Sequence, residues 1–249
     1  IERKNIQRIW EQVAQWTIPN INYCITVGKG LANLFEEKYH QHFEVVRNMP
    51  FAQSLPETIK NTQSPILLYQ GALNEGRGLE QMIEAMPQLP DAQLWLAGEG
   101  DLSDKLRNQV KQKGLDNQVI FLGYVKPEEL KKVTLKVSIG LNLLENKGLS
   151  YYYSLANKAF DYVQAEVPSI NMNFPEYQQL NQEYEVFTLI DDLEQSTLLD
   201  AIHRLLQDQD YYNHLKGQCQ LARQEWNWEK EKNQLTTFFL QIESENFSD

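Results

Sequence analysis

The sequence predicts an α/β protein built on a doubly wound parallel sheet, with a smaller αβ piece before it. Three observations carry this. From Ile66 onward, short apolar runs alternate with helical patterns, the pattern of parallel strands buried on both faces by crossover helices. Glycine-bearing turns follow these strands, at the edge where open α/β sheets bind ligands. A mostly polar run from Arg47 to Ser64, holding Pro50 and Pro56, separates this region from what precedes it.

The opening segment IERKNIQRIWEQVAQW sets Ile6, Ile9, Trp10, Val13 and Trp16 at helical spacing, so an amphipathic helix is expected up to Pro19. A short strand over Tyr23–Val27, a helix over Gly30–Tyr39 and a second strand over Phe43–Val46 follow. Beyond the linker, strands are expected at Ile66–Tyr69, Leu94–Ala97, Val119–Leu122, Val137–Leu143 and Ser169–Met172. Helices at Leu79–Met86, Leu102–Lys113, Pro127–Leu135 and Asn157–Ala165 separate them. The end reads as three helices, Glu194–Leu206, Asp210–Arg223 and Trp228–Phe239, with Asp208-Gln209-Asp210 a junction between the first two whose aspartates suit capping. The expected domains are 1–50, a linker over 51–63, a main domain over 64–225 and a terminal helix with tail over 226–249. Residues 1–50 should form an αβαβ unit outside the main sheet, with Trp228–Phe239 as its partner.

The chain has 249 residues, 42% of them hydrophobic, enough for a substantial core, and a formal charge of −11. That charge argues against a nucleic-acid partner, which wants a basic surface, while leaving room for one nucleotide in a local cationic patch. Two cysteines, Cys24 and Cys219, make no secretory disulfide framework, so a reducing, cytoplasmic location is expected. No apolar run approaches the roughly 20 residues of a membrane span. The chain begins at Ile1, directly in a helix, which reads as a fragment of something longer.

The chemistry is expected at four loops. In LYQGALNEGRG, Gly71, Gly76 and Gly78 surround Arg77 just before a helix. Such a turn lets N–H groups approach a phosphate closely. The second loop carries Gly98-Glu99-Gly100 and the third Gly123-Tyr124-Val125. The fourth, ENKGLSYYYSLA, leads into the helix bearing Asn157, Lys158 and Asp161. Singly each has a bland explanation: turn glycines, solvated cations, or an Asp161–Lys158 pair on one helix worth a few tenths of a kcal/mol. Together they point to a nucleotide diphosphate between the first loop and the last helix, with a carboxylate for ribose hydroxyls. Tyr151, Tyr152 and Tyr153 either cover the ligand or pack the loop. His40 and His42 form an H-x-H pair with no third metal ligand near it in sequence.

GALNEGRGLEQMIEAM, LWLAGEGDLSDKL, VIFLGYVKPEEL and SLANKAFDYVQAEVPSI fall in the order seen in the family-four, group 1 retaining glycosyltransferases, which the chain resembles over nearly its whole length. The resemblance implies two Rossmann-like domains of GT-B type. Here the C-terminal, donor-binding one starts near Ser64, and YCITVGKGLANLFEEKY…FEVVRNMP is similar to the tail of the acceptor-binding one. It implies a nucleotide-diphosphate sugar as donor, no metal, and an acceptor bound mainly by the other domain.

The resemblance assigns donor binding to Gly71, Arg77, Gly78, Gly98, Gly123, Tyr124, Val125, Asn157, Lys158 and Asp161, and leaves the catalytic residues unknown. Ala72 stands where the family often has an arginine. Arg77 takes the place of a lysine and adds a bidentate fork suited to phosphate. Asp161 replaces the second of two glutamates, and Tyr153 stands where the first would be. SLANKAFDY is similar to members with a P-N-K-x-x-E-Y version, with Ala156 for the proline. The expected activity is transfer of a sugar, hexosyl in type, with retention of anomeric configuration, and the piece alone is expected to bind donor but turn over poorly. A nucleotide-sugar 2-epimerase, or a non-catalytic domain on the same scaffold, are the alternatives.

Overall fold

A computed structural model describes residues 4–56 and 64–246. Residues 1–3 of the first expected helix, 57–63 of the expected linker and the tail beyond 246 lie outside the described residues. In chain order the elements are α1 (Lys4–Thr17), β1 (Cys24–Thr26), α2 (Lys29–Tyr39), β2 (Phe43–Val45), β3 (Ile66–Gln70) and α3 (Leu79–Ala85). Next come β4 (Gln93–Ala97), α4 (Ser103–Lys113), β5 (Val119–Gly123), α5 (Pro127–Thr134), β6 (Ile139–Asn142), α6 (Leu149–Tyr152) and α7 (Asn157–Gln164). The chain closes with β7 (Ser169–Met172), α8 (Pro175–Glu183), β8 (Phe187–Ile190), α9 (Gln195–Gln207), α10 (Gln209–Glu225) and α11 (Trp228–Asn246).

Two compact units emerge, Ile1–Asn48 with Glu229–Asp249, and Met49–Trp228. In the smaller one, β1 and β2 pair in parallel, Cys24 opposite Phe43, and form a sheet of their own. Phe35 packs on Phe43 and Tyr39. Tyr23 sets its ring edge-on to Phe238 of α11 and donates its hydroxyl to Glu245 at 2.9 Å. The buried Glu231 carboxylate accepts from the Arg47 guanidinium at 3.1 and 3.2 Å and from its backbone N–H at 2.6 Å. Such a set of donors offsets the desolvation of a buried carboxylate.

The larger unit holds one all-parallel sheet in the order β5-β4-β3-β6-β7-β8. β3 is buried along its whole length because it lies between β4 and β6 and both its faces are covered. Its side chains alternate: Leu67 and Tyr69 join the larger core cluster, Ile66 and Leu68 the smaller one. Helix α3 packs with α4 and α9, and α7 with α5 and α10; Tyr162 of α7 joins the smaller cluster, while Phe160 and Val163 of the same helix join the larger one. Trp226 seals the larger cluster against Phe160, Phe187 and Tyr184. Asp208 caps α10, its carboxylate accepting from the Tyr211 N–H at 2.9 Å.

The structure adds elements that the sequence pattern did not yield. Helix α8 is mostly polar, PEYQQLNQE, and only Glu176, Tyr177 and Leu180 are buried, so its apolar stripe is too thin to read. Strand β8 is four residues long and completes the sheet edge beside β7. Helix α11 runs on past Phe239 to Asn246.

Candidate functional site

The chain leaves β3 toward β4 on one side, and β6 takes the place on the other, so the sheet order reverses between β3 and β6. A crevice at the carboxyl ends of strands at such a point is where doubly wound sheets take ligands. One wall is α7, and Tyr162 fixes it. The Tyr162 hydroxyl points at the carbonyls of Leu68 (2.8 Å) and Leu141 (3.3 Å). A Cβ on Gly140 would run into the Tyr162 ring, so glycine in the middle of β6 is what admits this pin.

The first two expected loops interlock. The N–H groups of Gly71 and Leu73 donate to the carbonyls of Ala97 (2.9 Å) and Glu99 (3.2 Å), and that of Leu102 donates to Leu73 (2.9 Å). Asn74 accepts from the Asp101 N–H at 3.2 Å. Gly98 has a φ of +150°, and a Cβ there would strike the Gly71 carbonyl, so close approach of backbone to backbone demands this glycine. In the third loop, Gly123 lies next to Glu99, whose carboxylate pairs with Arg107 at 2.6 Å. Val125 packs on the smaller core cluster, and Tyr124 is exposed.

The first and fourth loops meet around the cations. The Gly76 carbonyl accepts from the Glu145 N–H at 3.0 Å, and the Lys147 ammonium bridges Glu75 and Glu145 at 2.8 Å each. The Tyr151 hydroxyl donates to the Glu75 carbonyl at 3.3 Å, and the Arg77 guanidinium lies 5.0 Å from the centre of the Tyr151 ring. Tyr151 therefore packs the loop and braces the cation. The Arg77 Nε is buried and has no hydrogen-bond partner among the described residues. Gly78 precedes α3 in a left-handed conformation. From the start of α7, where Asn157 is exposed, Lys158 reaches back until its Nζ lies 3.7 Å from the centre of the Tyr69 ring.

Burial pulls the Lys158 ammonium down to about 7, the Arg77 cation pushes the same way, and Asp161 offsets part of it. Burial raises the neighbouring Tyr69 phenol to about 12. Among the described residues neither Arg77 nor Lys158 has an ion-pair partner. Two basic side chains without ion-pair partners among the described residues thus flank a glycine turn, an arrangement suited to an anion.

Asp161 stands apart from Lys158 in its bonding. Its Oδ2 accepts from the Gln70 side-chain amide at 2.8 Å, and the Gln70 carbonyl oxygen lies 3.2 Å from the Thr134 hydroxyl. The carboxylate lines a cavity of about 90 Å³ between α5 and α7, with Gln53, Pro127 and Lys131 among its other walls. Burial raises the Asp161 carboxyl to about 6 against the pull of Lys131, Gln70 and Lys158. Sequence reasoning missed Gln70, Thr134 and Tyr162, because only the fold brings them to the site. Tyr153 packs edge-on to Tyr152. His42 sits between Glu36 (2.8 Å) and Glu44 (3.7 Å). No group of His, Cys, Asp and Glu placed to hold a metal ion occurs among the described residues.

A six-stranded parallel sheet with helices on both faces and a glycine-rich loop at its switch point defines the doubly wound α/β class. Residues 51–221 match the family model of the glycosyl transferases group 1, and the chain belongs to that family. An uncharacterized glycosyltransferase of Methanocaldococcus jannaschii is 38% identical over 71 residues, which are 27% of this chain and 18% of that protein. The lipopolysaccharide core biosynthesis glycosyltransferase LpsE of Rhizobium meliloti is 33% identical over 61 residues, 24% of this chain and 18% of that protein.

Among solved structures, Anabaena HepE in complex with UDP and glucose superposes with a TM-score of 0.79 at 14% identity, covering 94% of this chain and 66% of that one. Sucrose-phosphate synthase from Thermosynechococcus elongatus gives 0.78 at 19% identity, with 98% and 64% covered. At these identities the likeness concerns the fold. The chain spans less than two thirds of the length of these proteins. No described helix is long and apolar enough to cross a membrane.

Proposed function

We propose that this chain is the donor-binding part of a glycosyltransferase that moves a hexosyl group from a nucleotide-diphosphate sugar to an acceptor with retention of anomeric configuration. The observation that carries the reading is the convergence of Arg77 and Lys158, neither ion-paired among the described residues, on the Gly71–Gly78 turn at the switch point. HepE, which shares the fold, was crystallised with UDP and with UDP-glucose, and this supports the same ligand class here. Gly98, Gly123, Tyr124 and Val125 complete the strand-end edge toward the base, Asn157 opens the helix at the diphosphate, and Asp161 takes the ribose. Arg77, Lys158 and the loop amides stabilise the negative charge that builds on the departing diphosphate. The donor site works without a metal ion. The acceptor and the remaining catalytic groups belong to the rest of the parent enzyme, and the piece by itself binds donor with little or no turnover. The reduced thiols of Cys24 and Cys219 suit a cytoplasmic enzyme.

The test is product analysis with the full-length protein and a labelled nucleotide sugar. Transfer with the anomeric configuration kept is the expected result. A sugar inverted at C2 would mean an epimerase, and no binding of any nucleoside diphosphate would mean a scaffold domain.

A further inference from the structure

We propose that Gln70 is a positioning residue: its side-chain amide holds Asp161 so that one carboxylate oxygen stays open to the vicinal hydroxyls of a ribose. It thereby sets a preference for ribonucleoside over 2′-deoxyribonucleoside diphosphates. The inference rests on the donor-site reading above and deepens it.

Gln70 is the last residue of β3, and its side chain is buried. A buried amide must satisfy both its oxygen and its nitrogen. Here the oxygen faces the Thr134 hydroxyl at 3.2 Å, and the nitrogen donates to Asp161 Oδ2 at 2.8 Å. The reverse orientation would set a carbonyl oxygen against a carboxylate, so the partners dictate the amide's direction. Thr134 closes α5, where its hydroxyl also lies 2.9 Å from the Leu130 carbonyl, and Asp161 belongs to α7. A chain of three polar groups thus ties α5 and α7 to the end of β3. The amide occupies one lone pair of one Asp161 oxygen. The other oxygen has no hydrogen bond among the described residues and belongs to a carboxylate lining the cavity between α5 and α7. Lys131 of α5 and Lys158 of α7 are the charged groups acting on it. A carboxylate fixed in this way accepts from two adjacent hydroxyls at once, and a deoxyribose forfeits one of those bonds.

The experiment titrates pyrophosphate, UDP, GDP and ADP into the wild-type chain. The tightest nucleoside diphosphate is then compared with its 2′-deoxy counterpart in wild type, Gln70→Leu and Thr134→Val. Wild type should favour the ribo form about ten- to a hundredfold, the scale of one hydrogen bond to a charged group. Gln70→Leu should bring that ratio below about threefold with pyrophosphate affinity unchanged. Its residual preference should return at higher pH, because Asp161 without its amide donor loses its proton later. Thr134→Val, which removes only the far end of the chain, should give an intermediate ratio, and it decides the matter if Gln70→Leu does not fold. A ribo-to-deoxy ratio unchanged in both variants, or an equal loss for pyrophosphate and both nucleotides, overturns the role of Gln70 and leaves the donor site standing. Absence of nucleoside-diphosphate binding by wild type removes the donor site, and this inference with it.

Discussion

The Nζ of Lys158 lies 3.7 Å from the centre of the Tyr69 ring, where the end of a buried strand meets the first turn of α7. The ring face attracts the ammonium but does not neutralise it, and Arg77 adds a second positive charge to the same corner. An anion placed there would favour the charged form of Lys158.

One consequence is a proton linkage. Lys158 titrates near 7 in the folded chain against 10.5 for an ordinary lysine. Between those values the unfolded chain keeps a proton that the folded one has released, so this residue's contribution to stability rises with pH over that window. Its full penalty is present below about 7. A bound diphosphate reverses the balance by favouring the ammonium. Calorimetry at pH 8 in two buffers of different ionisation enthalpy should show proton uptake on binding UDP, GDP or ADP. Uptake should vanish in Lys158→Met, and affinity in wild type should fall as pH climbs through 7. Equal heats in both buffers would mean that Lys158 does not meet the ligand.

Asp161 is expected to hold the ribose rather than act as a catalytic base, since its carboxylate is committed to Gln70 beside the cavity between α5 and α7. Asp161→Asn in the full-length enzyme should weaken donor affinity by about tenfold or more and leave measurable turnover. Unchanged affinity with complete loss of turnover would reverse the assignment.

Gly98→Ala tests the interlock of the first two loops. The new methyl would strike the Gly71 carbonyl in a backbone conformation that L residues rarely adopt, so both overpacking and strain apply, together about 2 kcal/mol or more. Urea denaturation should show that loss along with weaker nucleotide binding. A variant as stable as wild type would mean that the two loops separate readily.

The fold was legible because its strands are short apolar runs set between helical periods, a pattern that local sequence displays. Ile66–Tyr69 and Ser169–Met172 illustrate this, and the structure extends the first only by Gln70. Helix α8 escaped because Tyr177 and Leu180 alone do not make an apolar stripe among glutamines. The cationic loop was legible from Arg77 among its glycines, and the resemblance to group 1 glycosyltransferases drew the loops together. Gln70 and Thr134 were not legible. Their side chains touch across 64 positions of sequence, and a glutamine at a strand end carries no local mark of the carboxylate it will meet. The role of Tyr162 was not legible for the same reason, since its hydroxyl reaches Leu68, 94 positions away.

The most direct measurement is isothermal calorimetry of UDP, GDP and ADP into the wild-type chain and Arg77→Ala. Arg77 offers a buried Nε, without a hydrogen-bond partner among the described residues, at the loop that should receive the diphosphate, a charge-assisted contact of about 1.5–3 kcal/mol. Binding of at least one of the three to wild type, weakened about ten- to a hundredfold in the variant, is the predicted result. Equal affinity in both proteins would contradict a diphosphate site at the switch point.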